Sequence, residues 1–206
     1  VLTIDIGNTT IGIGGFQGNK LLFIEKISSR RPLSDAGYIE KLNMILNKHG
    51  LSAEAFEGSM ISSVVPSVTA VFSSALETFL GRKPLILSHK LDLGYEICTE
   101  FPEKVGCDRL ADIAGAISRY SLPFVTIDLG TATTFNVLDE NRRFLGGLIL
   151  PGVGTAHRAL LGKTAQLPKG DIHMPAHTIG ANTQECITGG LLWGNACAID
   201  GLSRQS

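Results

Sequence analysis

VLTIDIGNTTIGIGGFQ, residues 1–17, decides the fold. An apolar strand runs into Asp5, breaks at Gly7 and Asn8, and returns through Thr9 and Thr10 as a second strand. The same line is written again as FVTIDLGTATTFNVLD at 124–139, where Asp128, Gly130 and Thr131 repeat the aspartate, the glycine and the hydroxyl residue. Glycine allows a sharp turn and a close approach of ligand to main chain, while Asn and Thr add donors beside the bare N–H groups. Such a turn suits phosphate oxygens. A single turn of this kind needs no ligand, because Asn and Gly serve backbone turns on their own. Two ordinary hairpins, however, have no reason to share the preceding aspartate. The carboxylates are not expected to meet phosphate directly but to hold a hydrated Mg²⁺ or another cation that does.

Working outward from the first loop, TIDIG, TIGIGGFQ and KLLFIEKIS read as three short strands in an antiparallel meander. Residues 34–49 follow with Tyr38, Leu42, Ile45, Leu46 and His49 at helical spacing behind Ser34, an N-cap. SMISSVV is a buried strand. Pro66 opens a second helix with one apolar stripe, closed by Gly81, and PLILS adds a strand. The cycle then restarts: DRLADIAGAISRY is a helix, and FVTIDLG, ATTFNVLD and FLGGLIL are strands. Helices over 153–161 and 181–204 complete the chain, with Gly189 and Gly190 weakening the middle of the latter. These are two meander-plus-helix halves, 1–106 and 107–206. Facing one another, they would set the two glycine turns across a cleft with both loops on one polyphosphate.

With 206 residues and 44% apolar content, the chain can bury a substantial core. A formal net charge of −1 supplies no basic field for nucleic acid and no polybasic anchor for a membrane. The start carries no signal-peptide pattern, and no apolar run approaches the ~18 residues of a membrane helix. Cys98, Cys107, Cys186 and Cys197 form no C-x-x-C pair, as in a reducing compartment. A cytoplasmic protein acting on small molecules is expected.

Several motifs are set aside. LGKT at 161–164 lacks the Walker glycine five residues before Gly162, where His157 stands. His173 and His177 are separated by Pro175, which breaks the helix that would put both on one face. Cys107 has no fixed base to make it a nucleophile and reads as a small buried or site-lining residue. VGCDRLADIAGA is more informative, with Asp108 and Arg109 opening a helix after Gly106. An acidic N-terminal residue and a surface arginine would be the plain reading. The chemical one is an arginine fork for a substrate carboxylate beside an aspartate for a hydroxyl proton.

Taken together and in order, DIGNT, GCDR, DLGTATT, the GGLILPG turn with TAQLP after it, and NTQECITGG resemble the type III pantothenate kinases, within the superfamily of acetate kinase, sugar kinases, Hsp70 and actin. The likeness runs from residue 4 to about 201. It implies an α/β, duplicated ribonuclease H-like (actin-like ATPase) fold of two similar mixed-sheet halves facing a nucleotide cleft, and a homodimer. The implied reaction moves the γ-phosphoryl of ATP to the primary hydroxyl of pantothenate, the first step toward coenzyme A. By the same likeness Asp5, Ile6, Gly7, Asn8, Thr9, Thr10, Ile11 and Gly12 bind ATP phosphates, with Thr131 on the facing loop. Gly106, Cys107, Asp108 and Arg109 hold pantothenate, Asp108 accepts the proton, and Thr183 reaches the substrate from near the dimer interface. Asp128 sits at a site for K⁺ or NH₄⁺, and Asp5 serves Mg²⁺.

Three departures stand out. Thr99 occupies the place of a common family tyrosine three residues before Pro102, Asp112 replaces the usual Asn after the DR pair, and the chain stops at Ser206 where family chains continue. The last implies either an incomplete C-terminal half or an unusually open adenine pocket. A non-catalytic regulatory homologue acting as an accessory factor in gene expression, and a kinase of another small hydroxy acid, are the rival readings. Intact Asp5, Asp108, Arg109 and Asp128 weigh against the first, and the second differs only around Thr99, Arg109 and Thr183.

Overall fold

The structure, a computed structural model, describes residues 1–162 and 170–205. Two compact units emerge, Val1–Tyr95 with Glu100–Gly115, and Glu96–Thr99 with Ala116–Ser206.

In the first unit β1 (Leu2–Ile6), β2 (Thr10–Gln17), β3 (Lys20–Ser28), β4 (Ser59–Ser63) and β5 (Leu85–Ile86) form one sheet in the order β3-β2-β1-β4-β5. The expected meander is there, antiparallel through β1, β2 and β3, and β4 and β5 add in parallel. Alternation decides the faces. Leu2, Ile4 and Ile6 of β1 and Ile11 and Ile13 of β2 are buried together with residues of α1 (Asp35–Lys48) and α2 (Pro66–Leu80). Each such side chain stabilises the fold by about 1.5–3 kcal/mol, and a one-residue slip would expose the whole set, so the register is strongly held. Tyr38 of α1 meets Phe72 of α2 with ring centroids 4.4 Å apart. Ser34 caps α1 by accepting from the Gly37 N–H, and Gly81, at φ 66°, ends α2 in the left-handed region that glycine adopts freely.

The second unit repeats the path in β7 (Phe124–Leu129), β8 (Ala132–Leu138) and β9 (Arg143–Pro151), all antiparallel. A two-residue strand, β6 (Glu96–Ile97), adds in parallel to give the order β6-β9-β8-β7. Helices α4 (Val153–Gly162) and α5 (Thr183–Ser203) follow. As expected over 181–204, α5 is a helix, and it runs unbroken through Gly189 and Gly190. Its start is secured by a reciprocal cap in which Asn182 Oδ1 accepts from the Glu185 N–H and Glu185 Oε2 accepts from the Ala181 N–H.

After β6 in sequence comes α3 (Cys107–Ile117), three residues shorter at its end than DRLADIAGAISRY implies, where the Arg119 N–H turns to the Ala116 carbonyl in a tighter i→i−3 bond. The division between units falls within this helix, at Gly115/Ala116, and not at 106/107. Its packing gives the reason: Leu110 and Ile113 are buried, and the Tyr95 hydroxyl donates to the Leu110 carbonyl at 2.9 Å. Asp108 therefore belongs with the first unit.

Candidate active site

The first loop hangs from the most secure strand of its sheet. Ile6 and Ile11 close the ladder, and residues 7–10 form the turn, with the Gly7 N–H donating to the Thr10 carbonyl at 2.9 Å. Both isoleucines are fully buried, so among the predicted phosphate residues they offer a ligand main chain only. Asn8 and Thr10 are exposed. Asp5 lies opposite Gly12 on β2 and Ser62 on β4. On that same face is a cavity of about 440 Å³ whose lining includes Asp5, Gly12, Gly14, Ser62, Ala111 and Gly115. Its walls are largely apolar, and the buried Ser62 hydroxyl has no hydrogen-bond partner.

The second loop is one residue shorter. Leu129 pairs with Thr133, leaving residues 130–132, and the Gly130 N–H donates to the Ala132 carbonyl at 2.9 Å. A Cβ on Gly130 would stand 3.1 Å from Asp128 Oδ2, so the carboxylate lies over the glycine. The loop is tied to the start of α4: the Thr131 carbonyl accepts from the Gly152 N–H at 3.1 Å and from Thr155 Oγ1 at 2.7 Å. Gly152 is required there, since any Cβ would collide with the carbonyl oxygens of Gly130 and Thr131. Sequence reading had no sign of this tie, which joins residues far apart in the chain.

At the start of α3, Asp108 Oδ1 accepts from the Arg109 N–H at 2.8 Å and folds over Gly106, where a Cβ would clash with that oxygen. Glycine thus makes room for the carboxylate. Burial draws the half-buried Arg109 guanidinium below the usual arginine pKa, against the opposing pull of Asp108 and Asp112. Asp112 also joins burial in pushing the Tyr95 phenol upward, with burial the larger cause. The Cys107 thiol donates to the Leu87 carbonyl at 3.2 Å, and burial raises its pKa. It is a packed thiol rather than a nucleophile, and what it offers a substrate comes from its main chain.

Thr183 is exposed at the first turn of α5. Thr99 has a buried hydroxyl without a hydrogen-bond partner among the described residues and packs near Gly146 of β9. Lys163, Thr164 and the rest of TAQLP lie outside the described residues. Among the described residues no group of three or more His, Cys, Asp and Glu could hold a metal ion, and His173 and His177 lie in a loop.

A family model described as type III pantothenate kinase matches residues 1–205 of this chain. The chain belongs to the type III pantothenate kinases. A type III pantothenate kinase from Dictyoglomus turgidum is 37% identical over 206 residues, covering 100% of this chain and 80% of the relative. Another, from Bifidobacterium animalis subsp. lactis, is 38% identical over 193 residues, 94% of this chain and 77% of its own. Among solved structures, a Campylobacter jejuni protein assigned to the Baf family of transcriptional activators superposes with a TM-score of 0.56. It covers 98% of this chain and 79% of its own at 16% identity, which shows a shared fold alone. Two mixed sheets that repeat one strand path agree with the duplicated ribonuclease H-like α/β fold expected of a type III pantothenate kinase.

Proposed function

We propose that this type III pantothenate kinase transfers the γ-phosphoryl group of ATP to the primary hydroxyl of pantothenate with Asp108 as proton acceptor. Family membership carries the reaction, giving 4′-phosphopantothenate on the way to coenzyme A. For the residue roles the supporting observation is the Asp108 carboxylate. Its Oδ1 is engaged by the Arg109 N–H, whereas its Oδ2 has no hydrogen-bond partner among the described residues. In the reaction the pantothenate hydroxyl oxygen attacks the γ-phosphorus and its proton passes to Asp108 Oδ2. The bond from phosphorus to the bridging oxygen breaks, and ADP leaves with that electron pair. Such a transfer depends on positioning and on offsetting charge.

Asp5 to Gly12 and Thr131 take the ATP phosphates through turn N–H groups and hydroxyls. Gly106 to Arg109 take pantothenate, the guanidinium forking onto its carboxylate. Thr183 contacts the substrate in a homodimer. The Asp128 carboxylate has no partner among the described residues and lies over Gly130, which the Ala132 carbonyl also approaches, oxygen donors that suit a hard monovalent cation such as K⁺ or NH₄⁺. When bound, that ion at Asp128 and a hydrated Mg²⁺ at Asp5 offset negative charge on the phosphates. No described helix is long and apolar enough to cross a membrane, and the cysteines are free, in keeping with a cytoplasmic enzyme.

The test is ADP release by the purified protein with ATP, Mg²⁺ and K⁺, given pantothenate or pantothenol. Pantothenate-dependent turnover is expected, and its absence would overturn the reading. A charge-assisted pair contributes about 1.5–3 kcal/mol, so Arg109→Ala should raise the KM for pantothenate by roughly ten- to a hundredfold and leave that for ATP nearly unchanged. Wild-type enzyme that used pantothenol as readily as pantothenate would remove Arg109 from the carboxylate.

A further inference from the structure

Arg158 lies in the second turn of α4, yet its side chain folds back toward the beginning of its own helix. Nη1 would stand 3.5 Å from a Cβ on Gly154, and Nη2 donates to Thr155 Oγ1 at 3.2 Å. That same hydroxyl donates to the Thr131 carbonyl at 2.7 Å. The guanidinium therefore ends one hydroxyl away from the second glycine loop. Among the described residues no carboxylate pairs with it. A cation is disfavoured near the positive end of a helix, and a long exposed side chain has other places to go. The arrangement holds a guanidinium beside the loop on which the Asp128 carboxylate also lies.

We propose that Arg158 is a phosphate-binding residue of this kinase, adding a planar guanidinium to the Thr131 loop for the phosphate chain of the nucleotide. Nη2 is held by Thr155 Oγ1, and the planar fork can present its remaining N–H groups to neighbouring oxygens. Thr155 serves as a positioning residue, its hydroxyl gripping the loop and the guanidinium at once. This rests on the reading that Thr131 contacts ATP phosphates.

The experiment measures dissociation constants for ATP and for adenosine by calorimetry on the wild type, Arg158→Ala, Arg158→Lys, Arg158→Gln and Thr131→Val, with melting midpoints as a check on folding. Loss of the guanidinium should weaken ATP by about tenfold or more while adenosine binding stays unchanged, and lysine should recover part of the loss. A merely structural role would affect both ligands. If Thr131→Val weakens ATP but Arg158→Ala and Arg158→Gln bind it as the wild type does, Arg158 is excluded and the loop assignment survives. If none of the variants changes ATP binding, the Thr131 assignment falls and this proposal falls with it.

Discussion

Asp108→Asn lowers kcat by about 10²–10⁴-fold, the usual contribution of a positioned acid–base group, while the KM for pantothenate changes little. The variant is well matched to the site. Asparagine keeps an Oδ1 that can accept the Arg109 N–H, now received at 2.8 Å, and still fits over Gly106, so the first turn of α3 should hold its shape. At the other branch an amide donor replaces the acceptor. The hydroxyl proton then has no carboxylate to receive it, and the attacking oxygen must lose it to solvent. Steady-state kinetics with both substrates varied would separate the two constants. Near-normal kcat in a folded Asp108→Asn enzyme removes the named base and the mechanism built on it. Asp112→Asn, one turn further along α3, should preserve turnover.

Asp128→Ala is expected to reduce turnover by about 10²-fold or more and to erase any difference between K⁺ and Na⁺, the scale on which a single fixed electrostatic contact to a developing charge acts. The carboxylate stands one residue before the end of β7 and lies over Gly130, next to the residue assigned to ATP. Removing it takes away the one anionic oxygen of the proposed cation site without disturbing the β7 and β8 ladder, since Asp128 pairs with Thr134 through main chain. Activity assayed in K⁺, NH₄⁺, Na⁺ and Li⁺ at constant ionic strength decides it. A wild type equally active in Na⁺ and K⁺ sinks the assignment of Asp128, and leaves that of Asp108 standing.

Both hairpins, α1 and α2 were legible because their signals are local: alternation across the strands, glycine and asparagine at the turns, Ser34 and Gly81 at helix ends. What was not legible depends on partners distant in sequence. A strand of two residues such as Glu96–Ile97 has no period to read and exists because Arg143 and Phe144 of β9 pair with it. At the site, Asp5, Asp108, Arg109 and Asp128 were visible as charged residues beside glycine. Gly152, Thr155 and Tyr95 were not, because each is marked by a hydrogen bond or a close approach that spans 15 to 24 residues or more of chain.

The two glycine loops are suspended differently. β1 is hydrogen-bonded on both sides, to β2 and β4, whereas β7 is the last strand of its sheet and bonds only to β8 among the described residues. Opening free energies follow such differences: amides of a doubly flanked strand exchange with solvent only in rare, large openings, those of a border strand in small ones. In amide exchange of the free protein, Ile4 to Ile6 should therefore outlast Ile127 to Leu129. The bonds from Gly152 and Thr155 to the Thr131 carbonyl then act as a tether, restraining the looser loop from the start of α4.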